Sequence, residues 1–242
     1  MRLPRVYLDV PLVPGASVTA PETQRRHLAQ VLRLQAGARL IVFNGDGRDY
    51  QAHLAGLDHT ATLVVGDPGP EEPPPTVAIQ LAVGVSKGER MDLVVQKSVE
   101  LGVAGIRPLF TERSVVRLSG ERLERRMAHW RGILIGACEQ SGRRRLPRLE
   151  PAASFEDWIQ TPPQGGLLLD PQASQALVGL PPPRTPVTLL VGPEGGLDRR
   201  ERLRALQGGF LPVRLGPRVL RTETAPLAAI SAIQTLWGDF GD

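Results

Sequence analysis

The stretch LLVGPEGGLDRRE, residues 189–201, decides how the rest of the sequence is interpreted. An aliphatic run ends at one proline and three glycines, with a single carboxylate, Glu194, among them. The glycines lack side chains that would keep a flat ligand off the main chain, so backbone N–H and C=O groups could bind it directly. The same pattern also fits a simple turn before a helix capped by Asp198. Taken alone, the stretch leaves both interpretations open.

Around this stretch, strand-like and helix-like segments alternate, which predicts a parallel sheet covered by helices on both faces. The strand-like segments are 76–85, 105–110, 165–170, 186–192 and 211–216, and the helix-like ones are 89–102, 120–142, 198–209 and 224–240. Ligands bind such sheets beyond the carboxyl ends of the strands. Three loops in the last third follow strand-like segments, at Leu169–Asp170, at 192–197 and at 215–225. We expect these loops to converge on one site.

The N-terminal part has a different texture, with short β-like segments at 5–10, 38–57 and 60–65 and one helix-like segment at 23–34. Asn44–Gly47 is typical of a tight turn. This pattern fits a small barrel. The Pro- and Gly-rich residues 66–76 predict an interdomain linker without regular structure. The predicted domains are therefore 1–70 and 76–242.

Composition narrows the class of protein. The single Cys138 excludes an internal disulfide and a Cys-based zinc site, and the four His have no metal-ligand spacing, so no metal is expected. Without a long apolar segment, the chain is expected to be cytoplasmic and to have no membrane partner. The net charge of +4 and a pI near 9.9 fit a nucleic-acid partner without requiring one.

The segment RLGPRVLRTETAPLAAISAIQ, residues 214–234, places four polar residues, 221–224, before an Ala-rich helix that has Pro226 in its first turn. The simplest interpretation makes Thr222 or Thr224 the N-cap and turns Arg221 and Glu223 to solvent. A ligand-binding role for these residues is the alternative.

The segments 189–201 and 214–234 resemble the signature segments of the bacterial ribosomal RNA uridine-3-methyltransferases of the RsmE family. That family belongs to the SPOUT class. The similarity continues through 25–47, 92–117 and 137–151. The resemblance implies an RNA-binding PUA-like β-barrel at 1–70. It also implies an α/β SPOUT domain at 76–242, whose parallel sheet carries helices on both faces and whose C-terminal segment forms a trefoil knot.

The resemblance further implies a function. S-adenosyl-L-methionine would donate a methyl group to the imide nitrogen, position 3, of a specific uridine in 16S ribosomal RNA of the assembled small subunit. The enzyme would be a homodimer. Two alternatives stay open: a SPOUT enzyme acting on another nucleotide, for example at a ribose 2'-oxygen, and a non-catalytic RNA-binding dimer. The likeness over nearly the whole chain favours the uridine enzyme.

Methylation of an imide nitrogen requires removal of a weakly acidic proton and stabilisation of the resulting anion. Arg221 is the candidate cation, and Glu223 and Glu194 are the candidate bases. The residues that the resemblance assigns to the methyl donor are Leu169, Asp170, Val191, Gly192, Pro193, Glu194, Gly195, Gly196, Leu215, Gly216, Val219, Leu220, Arg221, Thr224 and Ala225.

Basic side chains are the candidates for RNA phosphate contacts. The predicted RNA-binding residues are Arg2, Arg5, Arg25, Arg26, His27, Arg33, Arg113, Gln140, Arg143, Arg144 and Arg145. An aromatic content of 4% argues against a platform of exposed rings for base stacking, so recognition by charge and shape is expected. Lys97 and Glu100, three apart on a predicted helix, are expected to form a surface ion pair.

Overall fold

The computed structural model describes residues 3–163, 166–183 and 186–241, and it divides the chain into two units. Arg2, a predicted RNA contact, lies outside the described residues, as does Gly165 at the start of a predicted strand. The first unit comprises Met1–Pro74 and Cys138–Leu146, and the second comprises Pro75–Ala137 and Pro147–Asp242. No helix in the described residues is both long enough and apolar enough to cross a bilayer.

The first unit is built on a five-stranded mixed sheet. Its elements are β1 (Arg5–Tyr7), β2 (Ser17–Ala20), α1 (Glu22–Arg26, continued by a π-helical turn, His27–Val31), β3 (Arg39–Phe43), β4 (Tyr50–Leu57) and β5 (Ala61–Pro68). The strand order is β1-β3-β4-β5-β2, with β1 parallel to β3 and the other pairs antiparallel. Buried and exposed residues alternate along β4, so one face of this strand lines the core.

The residues between β3 and β4 form the predicted turn. Gly45 and Gly47 have φ values of 91° and 97°, which favour glycine, and the Asn44 side chain accepts a hydrogen bond from the Asp46 N–H. Strand β2 was not predicted, because it is defined by its antiparallel pairing with β5, which the sequence does not show.

The stretch 66–76 corrects one expectation. Its first three residues are not a linker but complete β5, where Pro68 pairs with Tyr50. Farther along, the Gly69 N–H donates to the Asp49 carbonyl and the Glu72 N–H donates to the Gly47 carbonyl. Proline is tolerated at the end of the strand because no further ladder hydrogen bond is needed there.

The second unit is a parallel sheet of seven strands with four longer helices. The elements are β6 (Ile79–Gly84), α2 (Glu89–Glu100), β7 (Gly105–Phe110), α3 (Gly120–Ser141, of which the residues from Cys138 onward belong to the first unit), β8 (Arg148–Leu149), β9 (Ala153–Ser154), α4 (Phe155–Trp158), β10 (Gly166–Leu169), β11 (Val187–Val191), α5 (Arg199–Gln207), β12 (Leu211–Val213) and α6 (Thr224–Trp237). The strand order is β12-β10-β11-β6-β7-β8, and β9 pairs with β7.

Burial explains this arrangement. All five residues of β11 are buried, as expected for a central parallel strand covered on both faces. Leu168 and Leu190 pack with Phe155 of α4 and Ala205 of α5, while α6 packs against α2 and β11. The short elements β8, β9 and α4 were not predicted, since they contain too few residues to show a periodicity.

Candidate methyl-donor and RNA site

A cavity of about 700 Å³ lies at the carboxyl ends of β10, β11 and β12. Its walls come from 168–172, 191–197, 213–216 and 218–223, together with Arg90, Arg113, Arg202 and Ala225. We call it the loop pocket. All the residues predicted to hold the methyl donor line it, except Thr224. Three segments that are distant in sequence meet here because their strands are neighbours in the sheet.

The glycine-rich stretch after β11 is both a tight turn and a wall of the pocket. The Gly196 N–H donates to the Pro193 carbonyl, and Gly196 has a φ of 68°. A Cβ on Gly192 would lie 2.7 Å from the Leu197 nitrogen, a backbone atom with little room to move. Glycine is therefore required at Gly192 by packing and is favoured at Gly196 by conformation. Asp198 caps α5, as the turn interpretation predicted.

Thr222 ties the third loop to the second. Its buried hydroxyl donates to the Gly192 carbonyl at 3.1 Å and lies 3.3 Å from the hydroxyl of Ser86. The prediction that Thr222 or Thr224 caps α6 is wrong, because the N-cap position is Glu223 and no side chain caps it. The Thr222 hydroxyl is used in a bond to another loop, and the N–H groups of Thr224 and Ala225 donate to the Arg221 carbonyl.

Asp170 lines the pocket, and both oxygens of its carboxylate accept hydrogen bonds from other residues of the chain. One oxygen accepts from the Arg202 Nε at 2.7 Å, and the other accepts from the Gln172 N–H at 2.8 Å. Its side chain is 9% exposed. This carboxylate therefore holds the loop after β10 in shape, and Arg202 of α5 is its counter-ion.

Glu194 is held at the mouth of the same pocket. Its Oε1 accepts hydrogen bonds from the Lys87 N–H and from Arg90 Nη1, both at 3.1 Å. Burial raises the pKa of this carboxyl, but backbone N–H groups and the Arg90 guanidinium outweigh burial and hold the pKa below its ordinary value. Such a carboxylate is anionic at neutral pH and is a weak proton acceptor.

Glu223 has a different environment. Its Oε2 lies 3.9 Å from Arg90 Nε, and within the described residues this buried oxygen has no hydrogen-bond partner. The side chain is 17% exposed. A buried acceptor without a donor is costly, and at a pocket wall it can be satisfied by a ligand N–H or O–H. The alternative in which Glu223 simply faces solvent is therefore wrong, and the role of Glu223 as a candidate base stays a prediction.

Arg221 and Arg113 are two exposed cations in the wall of the loop pocket. Across the described part of the chain, the Arg221 guanidinium makes no hydrogen bond or ion pair, while Arg113 donates to the Gly195 carbonyl at 2.8 Å. Arg113, predicted as an RNA contact, thus supports the glycine-rich loop.

Arg90 is one of the pocket residues that sequence reasoning missed, as Arg202 is. It stands at the start of α2, just beyond the carboxyl end of β6, the strand beside β11. The available signal was this fourth strand-end loop, because the same topological rule that selected the other three loops applies to it.

Comparison with known proteins adds the family. A family model described as an RNA methyltransferase domain matches residues 72–234, and one described as an RNA methyltransferase PUA domain matches residues 21–65. The ribosomal RNA small subunit methyltransferase E of Buchnera aphidicola (subsp. Schizaphis graminum) is 31% identical, with 98% of each chain covered. The chain belongs to the ribosomal RNA small subunit methyltransferase E family.

Two solved structures are similar over the whole chain. A ribosomal RNA small subunit methyltransferase E from Neisseria gonorrhoeae, bound to S-adenosyl methionine, is 38% identical with a TM-score of 0.90. A methyltransferase from Legionella pneumophila, in complex with the same cofactor, is 37% identical with a TM-score of 0.95. Each match covers 99% of this chain and 100% of the other.

Membership in the methyltransferase E family confirms the resemblance recognised in the sequence. It also confirms the fold class, a SPOUT-type parallel sheet with helices, preceded by a PUA-like curled sheet. The trefoil passage of the C-terminal segment stays a prediction.

In this family member, Arg5 is not available to RNA. Its side chain is 3% exposed and pairs with Asp49 at 2.6 Å, and it also donates to the Cys138 carbonyl. The guanidinium lies 4.5 Å from the centre of the Phe43 ring. The predicted phosphate contact is wrong because burial and internal hydrogen bonds occupy this cation.

Residues 143–145 also form hydrogen bonds and ion pairs within the first unit of this methyltransferase. The Arg144 side chain donates to the Pro70 carbonyl and the Arg145 side chain pairs with Glu71, while the Arg145 N–H donates to Glu72. Arg143 is half-buried, and its carbonyl accepts from Arg5. The cluster therefore carries less free charge than its sequence indicated.

The remaining predicted RNA contacts lie nearer the surface. Arg25 and Arg26 share the carboxylate of Glu22, and Arg33 is exposed, with a φ of 52°. His27 is half-buried in the π-helical turn, and Gln140 is exposed in the last turn of α3.

Proposed function

We propose that this protein transfers a methyl group from S-adenosyl-L-methionine to the N3 imide nitrogen of a uridine in 16S ribosomal RNA of the small subunit. Family membership and the two cofactor-bound relatives support the donor and the class of substrate. The observation that carries the proposal is the juxtaposition in one pocket of a cation without a partner, Arg221, and a buried carboxylate oxygen without a donor, Glu223 Oε2.

The loop pocket fits a nucleoside-sized donor. Its volume of about 700 Å³ lies within the usual range for small-molecule sites. Gly192–Gly196 can offer main-chain groups to an adenine edge, and Val191, Leu215 and Leu220 offer apolar surface to its faces. When bound, the donor supplies a methyl group on a positively charged sulfur.

The chain's own residues would carry out the proton chemistry. The imide N–H of uridine is weakly acidic, so a base must accept its proton as the nitrogen becomes nucleophilic. Glu223 fits this role because its Oε2 has no donor among the described residues. The anion that forms spreads its charge onto the flanking carbonyl oxygens, which the Arg221 guanidinium can bind. Glu194 is already bonded to Arg90 and Lys87, so it fits a supporting role better than that of the base.

Methyl-transfer assays test this proposal. Purified protein, labelled donor and small ribosomal subunits lacking the modification would be combined, and digested nucleosides would be separated by mass spectrometry. We expect 3-methyluridine. Arg221→Gln and Glu223→Gln should each lower kcat by about a hundredfold or more, the usual contribution of a charge stabiliser or a general base.

Arg125→Gln is the matched control, since Arg125 is exposed on α3 and, among the described residues, pairs with Glu121 alone. It should leave kcat unchanged. A ribose-methylated product would replace the proposed reaction by 2'-O methylation, and RNA binding without donor binding would favour the non-catalytic dimer. Full turnover by both site variants would remove the catalytic assignment.

We also propose that exposed residues of the first unit, Arg26 and Arg33, contact RNA phosphates, since exposed cations contribute most of the salt-dependent affinity. The homodimer and the assembled small subunit as substrate stay predictions. Light scattering of the purified protein tests the first, and parallel assays on naked 16S RNA and on small subunits test the second.

A further inference from the structure

Arg90 connects two carboxylates that come from different parts of the chain. Its Nη1 is 3.1 Å from Glu194 in the loop after β11, and its Nε is 3.9 Å from Glu223 at the start of α6. At the first distance Arg90 and Glu194 form a hydrogen-bonded ion pair. The second distance, to Glu223, is too long for a hydrogen bond. One guanidinium thus neutralises Glu194 directly and leaves the Glu223 oxygen without a donor.

Arg90 also lies at a boundary between two cavities. A second cavity, of about 480 Å³, is lined by Glu89, Arg90, Asp92, Leu93, Gln96, Ile133 and Glu223. Of these residues, Arg90 and Glu223 also line the loop pocket. Arg90 and Glu223 therefore lie between the two cavities. A ligand in the second cavity and a ligand in the loop pocket would both be next to these two side chains.

We propose that Arg90 is a positioning residue, which fixes Glu223 at the boundary between the loop pocket and the second cavity and keeps one carboxylate oxygen of Glu223 free for the acceptor base. The inference rests on the proposed function, because it assigns the loop pocket to the methyl donor and Glu223 to the acceptor. The pyrimidine would then enter from the second cavity, where Gln96 offers a polar group and Leu93 and Ile133 offer apolar contact.

The geometry requires arginine and not merely a positive charge. A guanidinium presents several N–H groups in a rigid plane, so one side chain can bind Glu194 through Nη1 while its Nε faces Glu223. A lysine has a single ammonium on a flexible stem and can hold Glu194 without fixing Glu223. Charge and positioning can therefore be separated by substitution.

The test compares Arg90→Lys, Arg90→Gln and Glu194→Gln with the wild-type protein, with donor affinity measured by calorimetry and turnover measured on small subunits. Arg90→Lys should bind the donor within about threefold of wild type while kcat falls by about a hundredfold, the cost of misplacing a reacting group by about 1 Å. Arg90→Gln should lose at least as much turnover. Glu194→Gln removes the charge that draws Arg90 away from Glu223 and should lower kcat with little change in donor affinity. Arg125→Gln should leave both quantities unchanged.

Crystal structures of wild type and Arg90→Lys provide a readout that needs no activity. We expect the Glu223 carboxylate to move in the variant while the glycine-rich loop keeps its place. Wild-type turnover by Arg90→Lys, an unmoved Glu223, or a donor affinity that falls as far as kcat would each overturn the proposal. Failure of the proposed function looks different, because the wild-type protein itself would then form no 3-methyluridine.

Discussion

Arg5, Arg90 and Arg221 carry the same charge in different surroundings. Arg5 is enclosed by Asp49, backbone carbonyls and an aromatic ring, and Arg90 lies between two carboxylates. Arg221 has no side-chain partner in the described part of the chain, although it lines the loop pocket. A guanidinium with free N–H groups can bind a substrate oxygen, whereas one whose N–H groups are occupied serves the fold.

Glu22 allows a test of charge pairing at a single residue. It accepts hydrogen bonds from Arg25 Nε at 2.6 Å and from Arg26 Nε at 2.9 Å, and these lower the pKa of its carboxyl from 4.5 to about 2. Because the folded-state pKa is depressed, the stabilisation is present above about pH 4.5 and is lost as the pH falls toward 2. Carboxyl NMR should show titration near 2.

The companion variant is Glu22→Gln. Its stability deficit against wild type, measured by chemical denaturation, should be present at pH 7 and should shrink as the pH falls from 4.5 toward 2. Salt should also reduce it, because the pair is exposed. A deficit that is the same at pH 7 and at low pH would contradict the pairing.

Helix α5 is the element whose boundary was easiest to predict. Asp198 and Glu201 form a capping box, in which the Asp198 carboxylate accepts from the Glu201 N–H at 2.7 Å and the Glu201 carboxylate accepts from the Asp198 N–H at 2.9 Å. This arrangement depends only on residues three apart, so the sequence carries it. Glu201 also accepts from the Glu112 N–H at 2.8 Å, a contact that spacing could not indicate.

Removal of the cap is expected to destabilise the protein. Asp198→Ala leaves N–H groups of the first turn without an acceptor and should lower the free energy of unfolding by about 1 kcal/mol. Asp198→Asn, which can still cap, should lose much less. Denaturant titration of both variants checks this, and equal stability of the alanine variant and wild type would contradict it.

Other elements could not be predicted, because they are short or because a distant partner strand determines their structure. Strand β2 and helix α4 have four residues each, fewer than a period needs to become visible. Residues 66–68 contain glycine and proline and were therefore expected to be a linker, yet β4 is long enough to pair with them. Partner strands can override local preference in this way.

At the scale of the whole molecule, the glycine-rich loop depends on a strand about a hundred residues earlier. Val83 of β6 pairs with Val191 of β11, which brings Gly84 against Pro193. A Cβ on Gly84 would lie 2.5 Å from both the nitrogen and Cδ of Pro193, closer than non-bonded atoms can approach. The absence of one side chain on β6 thus lets the loop sit over the end of the sheet.

Gly84→Ala should therefore disturb both stability and the pocket. Overpacking of this kind costs about 1–3 kcal/mol, and displacement of Pro193 should weaken donor binding. Thermal denaturation and calorimetry measure the two effects. Gly136→Ala is the control, because a Cβ there meets nothing within 4 Å and alanine favours a helix interior. Equal behaviour of the two variants would show that the contact does not matter.

The amino-acid sequence determined the features that depend on near neighbours: the alternation of strands and helices, the turn at Asn44–Gly47, the cap of α5, and the motifs that identify the family. Tertiary structure alone decided which charges line the loop pocket and which are paired inside the fold. Arg90 meets Glu194 across 104 positions and Arg5 meets the Arg143 carbonyl across 138, and in neither case does spacing mark the partner. Local patterns arise from repeat and cap geometry within a few residues, whereas burial and ion pairing depend on which distant elements pack together.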